Sequence, residues 1–503
     1  MLSSGRGKVL LFLPPYEGKI FGPPLGLLSL ASSLRAAGYE SCIIDGALRS
    51  DYLEAIKANL DGSIAFGVSL LTGPMIRDAI AASRLVRSLS PQTPIIFGGW
   101  HPSLVTAQTL REDFVDIVVR HQGEKTLVEV LNRICSGSSL HLVPGCWFKQ
   151  KGQIVSNPDR SPSPLSSLPA PAYDLVDFNE YARVAGGRKL PYATSIGCPY
   201  ACNYCTDSVF YSRRFNPADV AHIVDDVAQL VQKHSLSEIA LVDSNFLVDT
   251  KRAVAIAQGF LKAGLKIRWT FQASTDLLCR MSDEDVQLLG DSGVSHIGFG
   301  TESASPEVLK RMNKAHQHIP DMFEAARKCA AAKIRVTYNL IFGFPGEDEA
   351  HRKETLRTMG QIAERYPNVS FSPNLFTPYP GIPIWPELRE KGLQEPDSLE
   401  GWSSMGLGGT QLPWLNGKSS TALQRGMSFF LLDNQLSKSF RKSKSPAVRS
   451  LITLVRKPLH WRLRYYFFYL PLELWLSMAR EWLDIRRSLL TGVPLSRSLA
   501  QTR

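Results

Sequence analysis

Short apolar runs recur along the first part of the chain, each bounded by turn residues and followed by a longer stretch with apolar positions at helical spacing. Residues 9–13, 41–44, 64–69, 94–97 and 117–119 read as strands buried on both faces, because they lack the polar alternation of a half-exposed strand. Residues 25–37 and 75–89 read as helices between them. This alternation predicts a doubly wound, Rossmann-like α/β domain. Ligands of such sheets sit beyond the carboxyl ends of the strands. Those ends carry Pro14-Pro15-Tyr16, Ser69-Leu70-Leu71-Thr72-Gly73, Gly98-Gly99-Trp100-His101 and Gly123-Glu124. Their glycines are ordinary turn residues or points where backbone can approach a ligand closely.

Residues 136–187 read as a connector, and its Pro/Ser-rich part, 161–171, should be extended. A second series follows, with strands expected at 193–196, 239–242, 267–272, 296–300, 335–342 and 370–375 and helical stretches between them. Six such strands predict an incomplete parallel β/α barrel with its site at the carboxyl ends. After Trp385 the pattern turns irregular and then helical. The expected division is 8–140 for the front α/β domain, 141–187 for a linker, 188–390 for the partial barrel and 391–503 for a mostly helical basic region.

Eight cysteines in 503 residues are too few for a disulfide scaffold. Three of them, Cys198, Cys202 and Cys205, stand on one short stretch straight after a predicted strand. Structural zinc takes four protein ligands, and the nearest histidine, His222, falls in a helical pattern. An iron–sulfur cluster held by three cysteines would keep one iron open for another ligand.

Cys-x3-Cys-x2-Cys after the first strand of a β/α series, with Tyr204 before the last cysteine, resembles the radical S-adenosylmethionine (SAM) superfamily over about residues 190–385. The resemblance implies a 4Fe–4S cluster on Cys198, Cys202 and Cys205. It also implies SAM on the open iron, and one-electron cleavage of SAM to a 5′-deoxyadenosyl radical, fed by an external donor such as flavodoxin or ferredoxin. Other positions match the family by motif. Asp243 and Asn245 match groups set against the SAM amino group, although Asp and Ser here also suit a helix cap. Gln272 and Ser274 match positions that reach the SAM carboxylate or ribose. Glu302 matches a ribose acceptor, and Gly343 and Pro345, in Gly-Phe-Pro-Gly-Glu, match the adenine platform.

Residues 8–135 resemble the cobalamin-binding domain that precedes the barrel in one class of this superfamily. Ser69 and Leu71 match its Ser-x-Leu, Gly98 and Gly99 its Gly-Gly, and residues 115–124 its last strand and turn. The Asp-x-His-x-x-Gly motif is missing, and Pro14-Pro15-Tyr16-Glu17-Gly18 stands in its place. No histidine there replaces the lower axial ligand, and His101, inside Gly-Gly-Trp-His-Pro, reads as a structural residue with a ligand role as the alternative. The resemblance to this class implies methyl transfer to an unactivated carbon or phosphorus of a small-molecule or lipid-like substrate. In that scheme the radical abstracts a hydrogen and methylcobalamin delivers the methyl group. A radical cyclase or oxidoreductase and an RNA-modifying enzyme are the alternatives. Against the RNA-modifying enzyme, Cys42, Cys135 and Cys146 are scattered rather than clustered. Against a non-catalytic cobalamin sensor stands the intact cysteine triplet.

Charge changes the picture in one place. The formal charge is +11, from 57 Lys and Arg against 46 Asp and Glu. Residues 437–503 hold 14 of the basic and three of the acidic residues, which leaves 43 of each sign in the rest. A neutral body argues against nucleic acid as partner. The basic tail, with Trp461, Tyr465, Trp475 and Trp482 among its charges, suits a packed helical subdomain, a membrane surface or an RNA groove. No signal peptide and no apolar run of spanning length is apparent. The expectation is a cytoplasmic enzyme, with the inner face of the membrane as a peripheral site.

Overall fold

The computed structural model describes residues 6–16, 22–406, 411–415 and 417–468. The first sheet is built from β1 (Lys8–Leu13), β2 (Glu40–Asp45), β3 (Ser63–Ser69), β4 (Ile95–Gly98), β5 (Ile117–Val119), β6 (Cys146–Gln150) and β7 (Gln153–Ser156). Its order is β2-β1-β3-β4-β5-β6-β7. The first five strands are parallel, and β6 and β7 add on antiparallel. Alternate residues of β1 bury on opposite faces: Leu10 and Phe12 join one core, Val9 and Leu11 the other. That two-sided burial explains the uninterrupted apolar runs.

The stretch expected to be a linker is therefore partly sheet. Cys146 and Phe148 are buried while their neighbours are half-buried, and Gln153–Ser156 is an edge strand with little buried side chain. Such short pieces carry too little apolar pattern to stand out in sequence. The Pro/Ser-rich part is extended apart from one 3-10 turn at Leu165–Ser167, and beyond it lie a second such turn, Tyr173–Leu175, and the helix Phe178–Ala185.

The second sheet contains β8 (Lys189–Tyr192), β11 (Glu238–Leu241), β12 (Arg268–Ala273), β13 (Val294–Glu302), β14 (Arg335–Phe342) and β15 (Val369–Leu375). Its order is β15-β14-β13-β12-β11-β8, parallel throughout, and no closed barrel is present among the described residues. The first barrel strand lies earlier than the expected 193–196. Residues Lys189–Tyr192 pair with β11, whereas β9 (Ser195–Ile196) pairs antiparallel with β10 (Asn216–Pro217). Pro191 hid the strand, because proline in a sheet is confined to positions such as the edge that β8 occupies.

The helices Gly417–Lys442 and Pro446–Tyr465 pack on each other, on β15 and on the helix Glu349–Arg365. They bury Phe429, Leu459 and Leu463 and leave Leu451, Leu454 and Trp461 exposed. No helix among the described residues is long and apolar enough to cross a membrane. Trp475, Trp482, Arg486 and Arg487 lie outside the described residues.

Candidate active site

A cavity of about 700 Å³ lies where the carboxyl ends of both sheets face each other. Ser69, Gly98, Gly99 and Glu124 line it from the first domain, and Asp207, Asp243 and Gln272 from the second. The Gly98-Gly99 turn requires glycine. Gly99 has φ +91°, and a Cβ there would meet the Leu70 carbonyl oxygen at 2.9 Å. A third wall comes from the connector, through Leu168, Pro169, Ala170 and Pro171. That strap is tied down by long-range bonds. The Ser163 amide donates to Gln122 Oε1 at 2.6 Å, and the Ala172 amide donates to the Leu28 carbonyl at 3.1 Å. Glu124 accepts from the Ser29 hydroxyl at 2.7 Å, and burial pushes its carboxyl upward, as it does that of Asp207.

The cysteine stretch leaves β9 through Gly197, at φ +80°, where any side chain would collide with the Arg214 carbonyl. Within the loop the Cys205 amide donates to the Cys202 carbonyl at 3.2 Å. The segment after the helix Pro306–Arg311 clamps the loop from outside. The Asn203 amide donates to the Met312 carbonyl at 3.2 Å, and its side chain to the Arg311 carbonyl at 2.7 Å. In return Asn313 Nδ2 donates to the Ala201 carbonyl at 2.7 Å.

The three thiols are free, and burial raises each of them, Cys205 to about 12. No three His, Cys, Asp or Glu side chains among the described residues are gathered as a site for a single metal ion. The donor set is thiol only, which suits an iron–sulfur cluster better than a mononuclear site that wants a fourth protein ligand.

The sequence pattern of the Radical SAM superfamily matches residues 192–359, and that of the B12 binding domain matches residues 19–131. The chain carries a B12-binding domain followed by a radical SAM domain, the pair found in cobalamin-dependent radical SAM enzymes. It is similar to an uncharacterised methyltransferase of Pyrococcus horikoshii, 29% identical over 398 residues, covering 75% of this chain and 82% of that one. It is also similar to the anaerobic magnesium-protoporphyrin IX monomethyl ester cyclase of Rubrivivax gelatinosus, 23% identical over 404 residues, covering 76% and 70%. The fold matches the cobalamin-dependent SAM radical enzyme OxsB, solved with aqua-cobalamin and SAM. The TM-score is 0.73 at 19% identity, over 91% of this chain and 72% of that one.

Within this radical SAM fold the motif residues divide by what they touch. Asn245 and Ser274 meet, Nδ2 to Oγ at 3.3 Å, and Asn245 Oδ1 is buried without a partner. Gln272 sits over Gly298, where a Cβ would run into its amide, and accepts from Asn339 at 3.4 Å. Gly343, at φ +77°, is held from both sides: its amide donates to Glu347 at 2.6 Å, and Trp414 donates to its carbonyl at 2.9 Å. Pro345 is buried in the same turn, and Phe344 packs edge-on to Tyr204 at 6.3 Å.

Asp243 is already engaged. It accepts from the Thr194 amide at 2.8 Å and from the hydroxyls of Thr194 and Ser195, so it ties the cysteine loop's approach to β11 rather than capping a helix. Glu302 is engaged as well, receiving bonds from Tyr204 Oη and Lys314 Nζ, both at 3.0 Å. Its φ is +59°, at a register shift between β13 and β14.

In the first domain Leu71 is half-exposed and does not line the cavity, whereas Ser69, Gly98 and Gly99 do. His101 points elsewhere too. It is fully buried against Trp402, bonds Thr72 at 2.9 Å, and is held neutral by burial, which lowers it to about 3. His222 lies on a helix, as expected, and lines the cavity. Lys314, the strap and Trp100 carried no motif. The only sequence signal for Lys314 was a basic run, Lys310-Arg311-Met312-Asn313-Lys314, in a body of balanced charge.

Proposed function

We propose that this enzyme is a cobalamin-dependent methyltransferase acting on an unactivated carbon of a small-molecule or lipid-like substrate. The observation that carries the reading is the cavity shared by the two domains, with Gly98-Gly99 on one wall and Gln272, Asp243 and Asp207 on the other. When bound, the cluster with SAM supplies a carbon-centred radical and cobalamin supplies a methyl group.

The chain's own residues bind, orient and exclude water. Thiolates of Cys198, Cys202 and Cys205 would hold three irons of a 4Fe–4S cluster and leave one for SAM. Asn245 Oδ1, buried without a partner beside Ser274, is an acceptor for the SAM amino group. With the Gly343 amide and carbonyl held by Glu347 and Trp414, the turn that follows would present its backbone to adenine, and Ser69, Gly98 and Gly99 would admit cobalamin. Trp100 and the strap wall off solvent that would quench a radical. The electron comes from an external donor of the flavodoxin or ferredoxin kind.

Anaerobically reconstituted protein should take up about four irons and release 5′-deoxyadenosine from SAM under reductant. Cys202→Ala should abolish both, and cleavage that persists in this variant would overturn the reading. Metabolites of a deletion strain should include a species lighter by one methyl. An uncyclised precursor in its place would favour the cyclase chemistry named for the Rubrivivax relative.

The reading extends to location. Leu451, Leu454, Trp461 and Tyr465, each more than half exposed, share one side of the helix Pro446–Tyr465 with Lys457 at its border. No acidic residue stands between Ser437 and Phe468. Such a face suits an anionic membrane surface on the cytoplasmic side, which would bring the enzyme to a lipid-like substrate.

A further inference from the structure

We propose that Lys314 is a positioning residue, a fixed buried cation that sets how readily a cluster on Cys198, Cys202 and Cys205 accepts an electron. The inference rests on the cluster reading given above.

Lys314 is 6% exposed. Its Nζ donates to Glu302 Oε1 at 3.0 Å and to Tyr204 Oη at 3.2 Å, and lies 6.0 Å from the centre of the Tyr204 ring. Tyr204 stands between Cys202 and Cys205 in the loop itself. Three reciprocal hydrogen bonds dock residues 311–313 onto residues 201–203, so the lysine cannot drift from the loop without breaking them.

The neighbouring strand is shaped to admit it. A Cβ on Gly300 would meet Glu302 Oε1 at 2.7 Å and Lys314 Nζ at 3.2 Å. Glu302 adopts a left-handed backbone, at φ +59°, where the ladder slips a residue. Non-glycine residues hold such a conformation only when their surroundings over-determine it.

Charge buried this deeply is poorly screened by solvent and salt. Reduction adds one electron from the external donor to the cluster, moves no proton, and leaves the site one charge more negative. Iron–sulfur potentials respond to net charge and to hydrogen bonds at the sulfurs. The lysine therefore favours the reduced state, and the Glu302 carboxylate partly offsets it. The two residues should move the potential in opposite directions.

The test is an EPR-monitored redox titration of the full-length, anaerobically reconstituted protein without SAM. Lys314→Met should shift the midpoint to more negative potential, Lys314→Arg should leave it near that of the wild type, and Glu302→Gln should shift it to less negative potential. A pair that merely braces the loop would move both neutral variants the same way or neither. Either result overturns the proposal. If Lys314→Met takes up no cluster, Glu302→Gln decides alone: an unshifted or more negative midpoint overturns the inference. Wild-type protein that takes up no iron overturns the cluster reading and this inference with it. A wild-type cluster whose potential is unmoved in the variants overturns this inference only.

Discussion

The indole of Trp100 stacks on the ring of Phe210, with centroids 4.2 Å apart and planes 26° apart. Trp100 follows the Gly98-Gly99 turn of the B12-binding domain, and Phe210 ends the short helix that follows Cys205. Tyr211 meets the same indole edge-on at 5.6 Å, and His121 meets Phe210 at 5.1 Å. This aromatic contact ties the Gly98-Gly99 turn to the segment that follows the three cysteines.

Aromatic pairs contribute about 0.5–1.5 kcal/mol beyond burial, so Trp100→Ala should lower stability modestly. Its larger effect should be on coupling. A misplacement of about 1 Å can cost about 100-fold in rate. Trp100→Ala should therefore lose about 10- to 100-fold of alkylated product per 5′-deoxyadenosine formed, with iron content unchanged. Trp100→Phe should restore most of the coupling. Equal loss of deoxyadenosine and product would refute this role.

Gly99→Ala should abolish cobalamin binding while sparing SAM cleavage. A methyl at this position meets the Leu70 carbonyl at 2.9 Å and its amide at 3.0 Å, on a backbone with φ +91°. Strain of this kind costs about 1–3 kcal/mol, which the turn would relieve by moving into the cavity. Absorbance of the purified protein after incubation with hydroxocobalamin reads the outcome. Full cobalamin occupancy would show that the turn has room to spare.

Glu347 makes stability depend on pH. Burial pushes its carboxyl up to about 7 from an ordinary value of 4.5, although the Gly343 amide and Arg352 pull the other way. Below 4.5 the group is protonated in both the folded and the unfolded chain. Between 4.5 and about 7 the unfolded chain loses a proton that the folded chain keeps. Stability should fall as pH rises through that window, by up to about 1.4 kcal/mol per pH unit, and level off above it. Glu347→Gln stays neutral and can still accept from Gly343, so its urea midpoint should lack this fall. Parallel pH profiles for wild type and variant would exclude Glu347 as the source.

Full-length protein should bind anionic liposomes in flotation assays, and added salt should weaken the binding because Lys457 and its basic neighbours act at the surface. Replacing Leu451, Leu454 and Trp461 together by Ser removes three exposed apolar side chains and should reduce binding at low salt as well. Wild-type protein that fails to float with the vesicles at any ionic strength would end the membrane reading.

The chain's local patterns were enough for the two α/β units, for most strand positions and for the cysteine triplet with its family. Each depends on residues a few places apart, and burial on both faces of a strand leaves its mark in every such stretch. Tertiary structure decided the rest. Glu302 turned out to be held by Lys314 and Tyr204, Asp243 by Thr194 and Ser195, Leu71 lay off the cavity, and a supposed linker became both a hairpin and a wall. The physical reason is separation along the chain. Tyr204 and Glu302 are 98 residues apart and Gln122 and Ser163 are 41, so their meeting is set by how whole sheets and helices pack, which no local pattern of apolar and polar positions encodes.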